Sequence, residues 1–224
     1  MDVDGAVVIR KRIGRAKLLD FFADLPPCLV GIEACPSAHH WGRELARLGH
    51  TVKLIPPSYV KAYLKRSKND AAAICEAVTR PSMRFVPIKT KQQQTALMLH
   101  RTRQMLVRQR TMLSNALRGH LAELGVVSAK GGNGTAELLR IIADSADNRV
   151  PSSARGILDV LARQYISIGA EIGSIDKNIL AWHRSCEASR RLAKIPGIGP
   201  IVATALVAEI GDWKAFSSGR NLAA

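Results

Sequence analysis

Aromatic residues, cysteine and long apolar runs are all scarce in this sequence. Phe, Trp and Tyr make up 4% of the 224 residues, and the abundant Ala, Leu and Arg favour helices over sheets. No apolar run approaches the roughly 20 residues that cross a bilayer. The start, MDVDGAVVIR, lacks the apolar core of a signal peptide. We therefore expect a cytoplasmic protein that makes no contact with a membrane.

The four cysteines, at positions 28, 35, 75 and 186, are irregularly spaced. They form no C-x-x-C pair and have no histidine pattern of a zinc site, so reduced thiols are expected. The adjacent His39 and His40 would point in different directions, which argues against a metal site there.

Positive charge is what the chain has in excess, with 33 Lys and Arg against 18 Asp and Glu, or +15. Such an excess favours a polyanionic partner, and nucleic acid is the first candidate. A basic structural protein of ribosomal type is the alternative.

Acidic residues are absent between positions 77 and 122, where nine basic residues occur. Leucines at 99, 106, 113, 117, 121 and 124 predict one long helix over 89–124, with a packing face and an arginine-bearing face. A solvated charged face is the ordinary interpretation, and the missing counter-charges favour a nucleic-acid surface. The residues assigned to that surface are Arg101, Arg103, Arg108 and Arg110.

The N-terminal third predicts alternating strands and helices, and hence a small parallel α/β layer. Ser37 is a candidate N-cap of the second helix, and Gly49 its stop. The predicted strands cover 6–12, 28–34 and 51–57, and the predicted helices cover 16–25 and 37–49. A sheet of this type would have a further strand before residue 6.

A second long helix is predicted to begin near Pro151, with Ser152 or Ser153 as its cap, after a loop at 129–135 and a short helix at 136–146. Its apolar residues alternate in steps of three and four, the pattern of a coiled-coil seam. That seam would pair the two long helices, within one chain or between two copies. The seam positions are Ile157, Leu161, Tyr165, Ile168, Ile172, Ile175, Ile179 and Trp182.

The segment IPGIGP at 195–200 predicts a helix-hairpin-helix, with a tight glycine turn and a new helix starting at Pro200. The free backbone N–H groups of a helix start can hold a phosphate, and this motif grips the nucleic-acid backbone without reading bases. Ile195 and Ile198 are expected to pin the turn into the core. A plain helix–turn–helix packing unit is the alternative. The residues assigned to backbone contact are Lys194, Gly197, Ile198 and Gly199.

Two carboxylates stand out, Glu33 at the end of a buried strand and Asp70 just before a helix. Carboxylates that meet from separate elements can hold Mg²⁺ ions that act on a phosphodiester. Either one taken alone is more typical of an ordinary polar residue.

Four segments in order resemble bacterial insertion-sequence transposases with a DEDD motif, the insertion sequence one-hundred-and-ten family, which is related to Piv-type DNA invertases. The segments are LVGIEACPSAHHWGRELARLGHTVKLIPPSYVKAYLKRSKNDA, EAVTRPSMRFVPIKT, QQQTALMLHRTRQMLVRQRTMLSNALRGHLAELG and IPGIGPIVATALVAEIGD. The resemblance covers nearly the whole chain.

The resemblance implies an α/β plus α fold. An RNase H-like (RuvC-like) domain at 1–88 lacks its first strand, a helical coiled-coil region spans 89–186, and the helix-hairpin-helix at 187–224 starts a C-terminal transposase domain. It also implies Mg²⁺-dependent DNA cleavage and rejoining, a homo-oligomer formed through the long helices, and a bacterial, nucleoid-associated location. Some members use a guide RNA. Glu33 and Asp70 match two family carboxylates, as catalytic and metal-binding residues, and Lys68 matches the lysine before the second, as a DNA-binding residue.

The sequence also departs from the family pattern. Ala73 stands where the fourth carboxylate is expected, and the chain looks truncated, without the first aspartate or a recognisable serine nucleophile. We therefore expect weak or absent Mg²⁺ binding and impaired catalysis. A non-catalytic nucleic-acid binder derived from a transposase is the alternative function.

Overall fold

The computed structural model describes residues 6–62, 70–81, 83–211, 216 and 218–220. The chain divides into two compact units. The first unit comprises residues 1–91 and 211–224, and the second comprises residues 92–210. The three-part division at 88/89 and 186/187 stays a prediction.

A two-stranded parallel sheet organises the first unit, as the alternating pattern predicts. Leu29 pairs with Thr51 at one end of the sheet and Glu33 with Ile55 at the other. Helix α2 connects the two parallel strands, as a crossover of this kind requires. The elements are α1 (Leu18–Ala23), β1 (Leu29–Glu33), α2 (Ala38–Arg47), β2 (Thr51–Ile55), α3 (Pro57–Ala62) and α4 (Asp70–Val78).

One sequence prediction about the first unit is wrong, and another is correct in position only. Residues 6–12 form no strand, and Val7, Val8 and Ile9 are exposed instead of packing against a neighbour. Ser37 occupies the N-cap position of α2, as predicted, but its side chain makes no capping hydrogen bond and its backbone is left-handed, with φ of 78°. Gly49 ends the helical segment with φ of 91°, as predicted.

The core of the first unit lies between the sheet and α4. Its buried side chains are Ile55, Val60, Ala73, Ala77 and Val78. Gly31 of β1 allows this close packing, because a Cβ there would lie 2.8 Å from Cγ2 of Ile74.

The second unit is helical, and two long helices run through it. Helix α5 has 32 residues and spans about 48 Å at 1.5 Å per residue. The elements are α5 (Lys91–Ala122), α6 (Gly132–Ala143), α7 (Ser152–Ser185), α8 (Glu187–Leu192) and α9 (Pro200–Ile210). In the described part of the chain, no helix combines the length and the hydropathy of a membrane span.

Apolar clusters hold the second unit at both ends of α5. Near its C-terminal end, Leu117 and Leu121 pack with α6 and with Leu158 and Ala162 of α7. Near its N-terminal end, Ala96 and Leu97 pack with α9 through Ala208, and Trp182 of α7 packs against them. The two long helices therefore contact each other within one chain.

The predicted seam of α7 is wrong at its first position, whereas Leu161 and Tyr165 pack against the apolar cluster as predicted. Ile172 and Ile179 are buried, whereas Ile157 is 67% exposed and the next residue, Leu158, is buried. The phase shifts because a helix turns every 3.6 residues, whereas the seam repeats every 3.5, and because α6 covers the Leu158 face. Helix α6 starts at Gly132, so the predicted loop at 129–135 is too long. Helix α7 starts at Ser152 with Pro151 at the N-cap position, so neither Ser152 nor Ser153 is the cap.

Arg155, in the first turn of α7, fixes the connection from α6 to α7. Its Nη1 donates to the carbonyls of residues 141, 142 and 144 at 3.3, 2.9 and 2.6 Å. Its Nη2 donates to the carbonyls of residues 147 and 150 at 2.7 and 3.1 Å. One guanidinium thus satisfies carbonyls that the end of α6 leaves without helical partners.

Replacing Arg155 by glutamine should lower the free energy of unfolding by about 2–4 kcal/mol, since several carbonyls would lose a charged donor at once. Arg163→Gln is the matched control. Arg163 lies on the same helix, is exposed and has Asp159 as its one partner among the described residues, so its loss should cost about 0.5 kcal/mol or less. Denaturant unfolding of both variants tests this, and equal losses would contradict it.

Candidate nucleic-acid interface

Two of the four arginines predicted to bind DNA have partners on α7. Nε of Arg103 donates to Oδ1 of Asp176 at 2.5 Å. Nη2 of Arg110 donates to the hydroxyl of Tyr165 at 3.1 Å, and its guanidinium lies 4.9 Å from the centre of that ring. These arginines join the two long helices between the apolar clusters.

The other two arginines, Arg101 and Arg108, face solvent. In the described part of the chain, neither has a hydrogen-bond or ion-pair partner. They are seven residues apart and share one face of α5. Met98, Met105 and Met112, also exposed, alternate with them in steps of three and four. We call this exposed row the Met–Arg face.

A groove of about 440 Å³ opens between α5 and the start of α9. Its lining combines a histidine and two arginines with two apolar side chains and one amide. The lining residues are His100, Arg103, Gln104, Val107, Arg108 and Ile201.

His100 joins the groove to α9. Its Nε2 lies 3.0 Å from Oγ1 of Thr204, a fully buried hydroxyl that also donates to the carbonyl of Pro200 or of Ile201. Burial, with a smaller contribution from Arg103, lowers the pKa of His100 below its ordinary value of 6.5. The groove therefore holds a neutral imidazole beside two guanidinium groups at neutral pH.

The turn before α9 has the predicted glycine geometry. Gly197 has φ of 86°, which favours glycine, and the N–H of Ile198 donates to the carbonyl of Ile195 at 3.0 Å. Helix α9 begins at Pro200, as predicted. Ile198 is half-buried, but Ile195 is 50% exposed, so the prediction that Ile195 packs in the core is wrong. Lys194 and Gly199 are exposed.

Glu33 is the last residue of β1 and is half-buried. Asp70 is the first residue of α4; its side chain and the whole of Lys68 lie outside the described part of the chain. Among the described residues, no three His, Cys, Asp or Glu side chains are grouped to hold a metal ion. Mg²⁺ is usually held by one or two carboxylates together with waters and substrate phosphates, so the Mg²⁺ site expected at Glu33 and Asp70 stays a prediction.

Ala73 serves the core of the first unit. It is 3% exposed and belongs to the cluster with Ile55, Val60, Ala77 and Val78. A carboxylate at position 73 would enter apolar surroundings, where an unpaired charge is costly.

Known proteins match this chain along nearly its whole length. It is 45% identical over 220 residues to a putative transposase, y4pF/y4sB, of Sinorhizobium fredii, covering 97% of this chain and 56% of that protein. It is 44% identical to a probable family 20 transposase of Pseudomonas aeruginosa, covering 97% of this chain and 66% of that protein.

A third relative, the transposase for insertion sequence element IS1328 of Yersinia enterocolitica, is 37% identical, covering 98% of this chain and 66% of that protein. The sequence profile of the transposase IS116/IS110/IS902 family matches residues 189–224. The chain belongs to this insertion-sequence transposase family. It spans about 56% to 66% of the length of these three curated relatives. The family identified from sequence is thereby confirmed.

The groove was not predicted, although the spacing of its lining residues is visible in the sequence. The residues that α5 contributes are 100, 103, 104, 107 and 108, the i, i+3, i+4, i+7, i+8 spacing of one helix face. Three of them, His100, Gln104 and Val107, are not among the residues that the sequence assigns to the basic surface. The prediction for α5 rested on its leucines, which mark the face of the helix that packs.

Ala73→Asp should lower the free energy of unfolding by about 2–5 kcal/mol, because the new carboxylate loses its hydration in the apolar cluster. Ala72→Asp is the control, since Ala72 is exposed on the same helix and should change stability by about 0.5 kcal/mol or less. Thermal or denaturant unfolding tests this. If Ala73→Asp were as stable as the wild-type chain, position 73 would be shown to tolerate a carboxylate, which would contradict this prediction.

Stability should fall as the pH drops below 6.5, with His100 as one cause. Since the folded-state pKa of His100 is lowered, the unfolded chain takes up the proton first, and stability is lost between 6.5 and the lower folded-state pKa. His100→Gln should remove part of this loss. The check compares denaturation midpoints at about pH 7.5 and about pH 5.5; equal losses in both proteins would contradict it.

Proposed function

We propose that this chain binds nucleic acid as a transposase-family protein, with DNA as its partner. The observation that carries the proposal is the basic surface of α5, where the groove and two arginines without a partner among the described residues occur on a helix without acidic residues. The net charge of +15 and the transposase relatives support it. A DNA binder of this kind would associate with the nucleoid.

We also propose that Mg²⁺-dependent strand cleavage and rejoining, the activity implied by the family resemblance, is impaired in this chain. The support is the position of Ala73, which packs in the core where the family pattern has a carboxylate. Glu33 and Asp70 remain the proposed catalytic pair, on neighbouring elements of the first unit.

Non-catalytic binding is therefore the second candidate function, favoured by Ala73. The same arginines would bind the phosphates of RNA, so we propose a guide RNA as a second partner of this surface. We also propose a homo-oligomer formed through the long helices, in addition to the pairing of α5 with α7 within one chain.

Binding of element-end DNA should weaken by orders of magnitude between about 50 and 200 mM salt, because each neutralised phosphate releases counterions. Fluorescence anisotropy of a labelled duplex measures this. A flat salt response, or no binding at low salt, would contradict the proposed nucleic-acid function.

A strand-transfer assay with Mg²⁺ separates the two candidate functions. We expect little cleavage by the wild-type chain and the same low level in Glu33→Gln, with DNA affinity unchanged. Strong cleavage by the wild-type chain that Glu33→Gln abolishes would show that the carboxylates are functional. It would contradict the proposal that catalysis is impaired.

A further inference from the structure

The groove between α5 and α9 has hydrogen-bond donors to spare. Arg108 makes no described hydrogen bond, so all five of its N–H groups are available. Arg103 uses Nε and Nη2 for Asp176, at 2.5 and 3.5 Å, and its Nη1 donates to no described partner. Donors of this kind suit the oxygens of a phosphate.

The charge of the groove is unbalanced. Among the described residues, its lining holds two guanidinium groups and no carboxylate, and the acid bonded to the lining, Asp176, pairs with Arg103. Arg103 and Asp176 are both about 70% buried, at 28% and 31% side-chain exposure. This pair holds the guanidinium of Arg103 in place, whereas Arg108 supplies the net positive charge.

The shape of the groove is more selective than a flat basic surface. A volume of about 440 Å³ is within the range of small-ligand sites, and it accommodates one phosphate with its sugar. Val107 and Ile201 form apolar walls next to the cations. A sugar–phosphate unit has the same combination of a charged group and an apolar ring face.

We propose that this groove holds one backbone phosphate of a nucleic-acid strand, with Arg108 as the principal cation and Arg103, positioned by Asp176, as the second. The assignment rests on the proposed nucleic-acid function and names the place on α5 where the strand is held. It moves the main phosphate contact from the glycine turn at 196–199 to the face of α5 beside it.

Charge-matched variants of α5 test this assignment. Arg108→Ala removes a charge from the groove, and Arg101→Ala removes another exposed charge, seven residues away, that does not line it. Arg108→Ala should weaken binding of a labelled oligonucleotide about tenfold, the loss expected for a charged hydrogen bond, and lower the salt slope by about one. Arg101→Ala should have a clearly smaller effect.

A gain of charge provides the opposite test. Gln104 lines the groove and Gln109 does not, and both are exposed on α5. Gln104→Lys should tighten binding several-fold more than Gln109→Lys, although the two variants carry the same net charge. This pair keeps the test decisive if an arginine variant folds poorly.

The outcomes separate this inference from the proposed function. If the wild-type chain binds and both pairs differ as stated, the groove is supported. If the wild-type chain binds but the members of each pair behave alike, the groove is wrong and the nucleic-acid function stands. Failure of the wild-type chain to bind any nucleic acid overturns both. A labelled nucleoside monophosphate that binds as tightly as the oligonucleotide would overturn the assignment to a strand.

Discussion

The packing of α5 against α7 is the constraint on which the second unit depends. Helix α5 carries six basic residues and no acidic one, so it lacks the internal ion pairs that stabilise many exposed helices. Apolar clusters anchor its ends, and Arg103 and Arg110 bind Asp176 and Tyr165 between them. These contacts set the rotation of α5 about its axis, and that rotation places Arg101 and Arg108 in solvent.

The sequence predicted the elements that depend on interactions between residues close together in the chain. The parallel pair β1 and β2, the long helices and the end of α2 at Gly49 follow from apolar periodicity and from the conformational freedom of glycine. The strand expected at residues 6–12 failed, because a strand requires a neighbour and Val7 to Ile9 have none in the described structure. The phase of α7 failed at Ile157, since the covering helix α6 is not visible in the pattern of α7.

Composition predicted a basic surface but not which arginines would form it. Arg103 and Arg101 are two residues apart and look alike in sequence, yet one pairs with Asp176, 73 residues later, and the other is exposed. The local sequence likewise predicted the position of Glu33 but not the structural role of Ala73. Glu33 lies at the strand end, as expected, whereas the role of Ala73 follows from a core formed by residues of β2, α3 and α4.

The Met–Arg face has a chemical consequence of its own. Peroxide converts accessible thioethers to sulfoxides, and Met98, Met105 and Met112 are all accessible. Each lies three or four residues from Arg101 or Arg108 along the helix. Any molecule that covers this side of α5 would shield the sulfur atoms, so mass spectrometry of oxidised methionine could read the occupancy of the helix turn by turn.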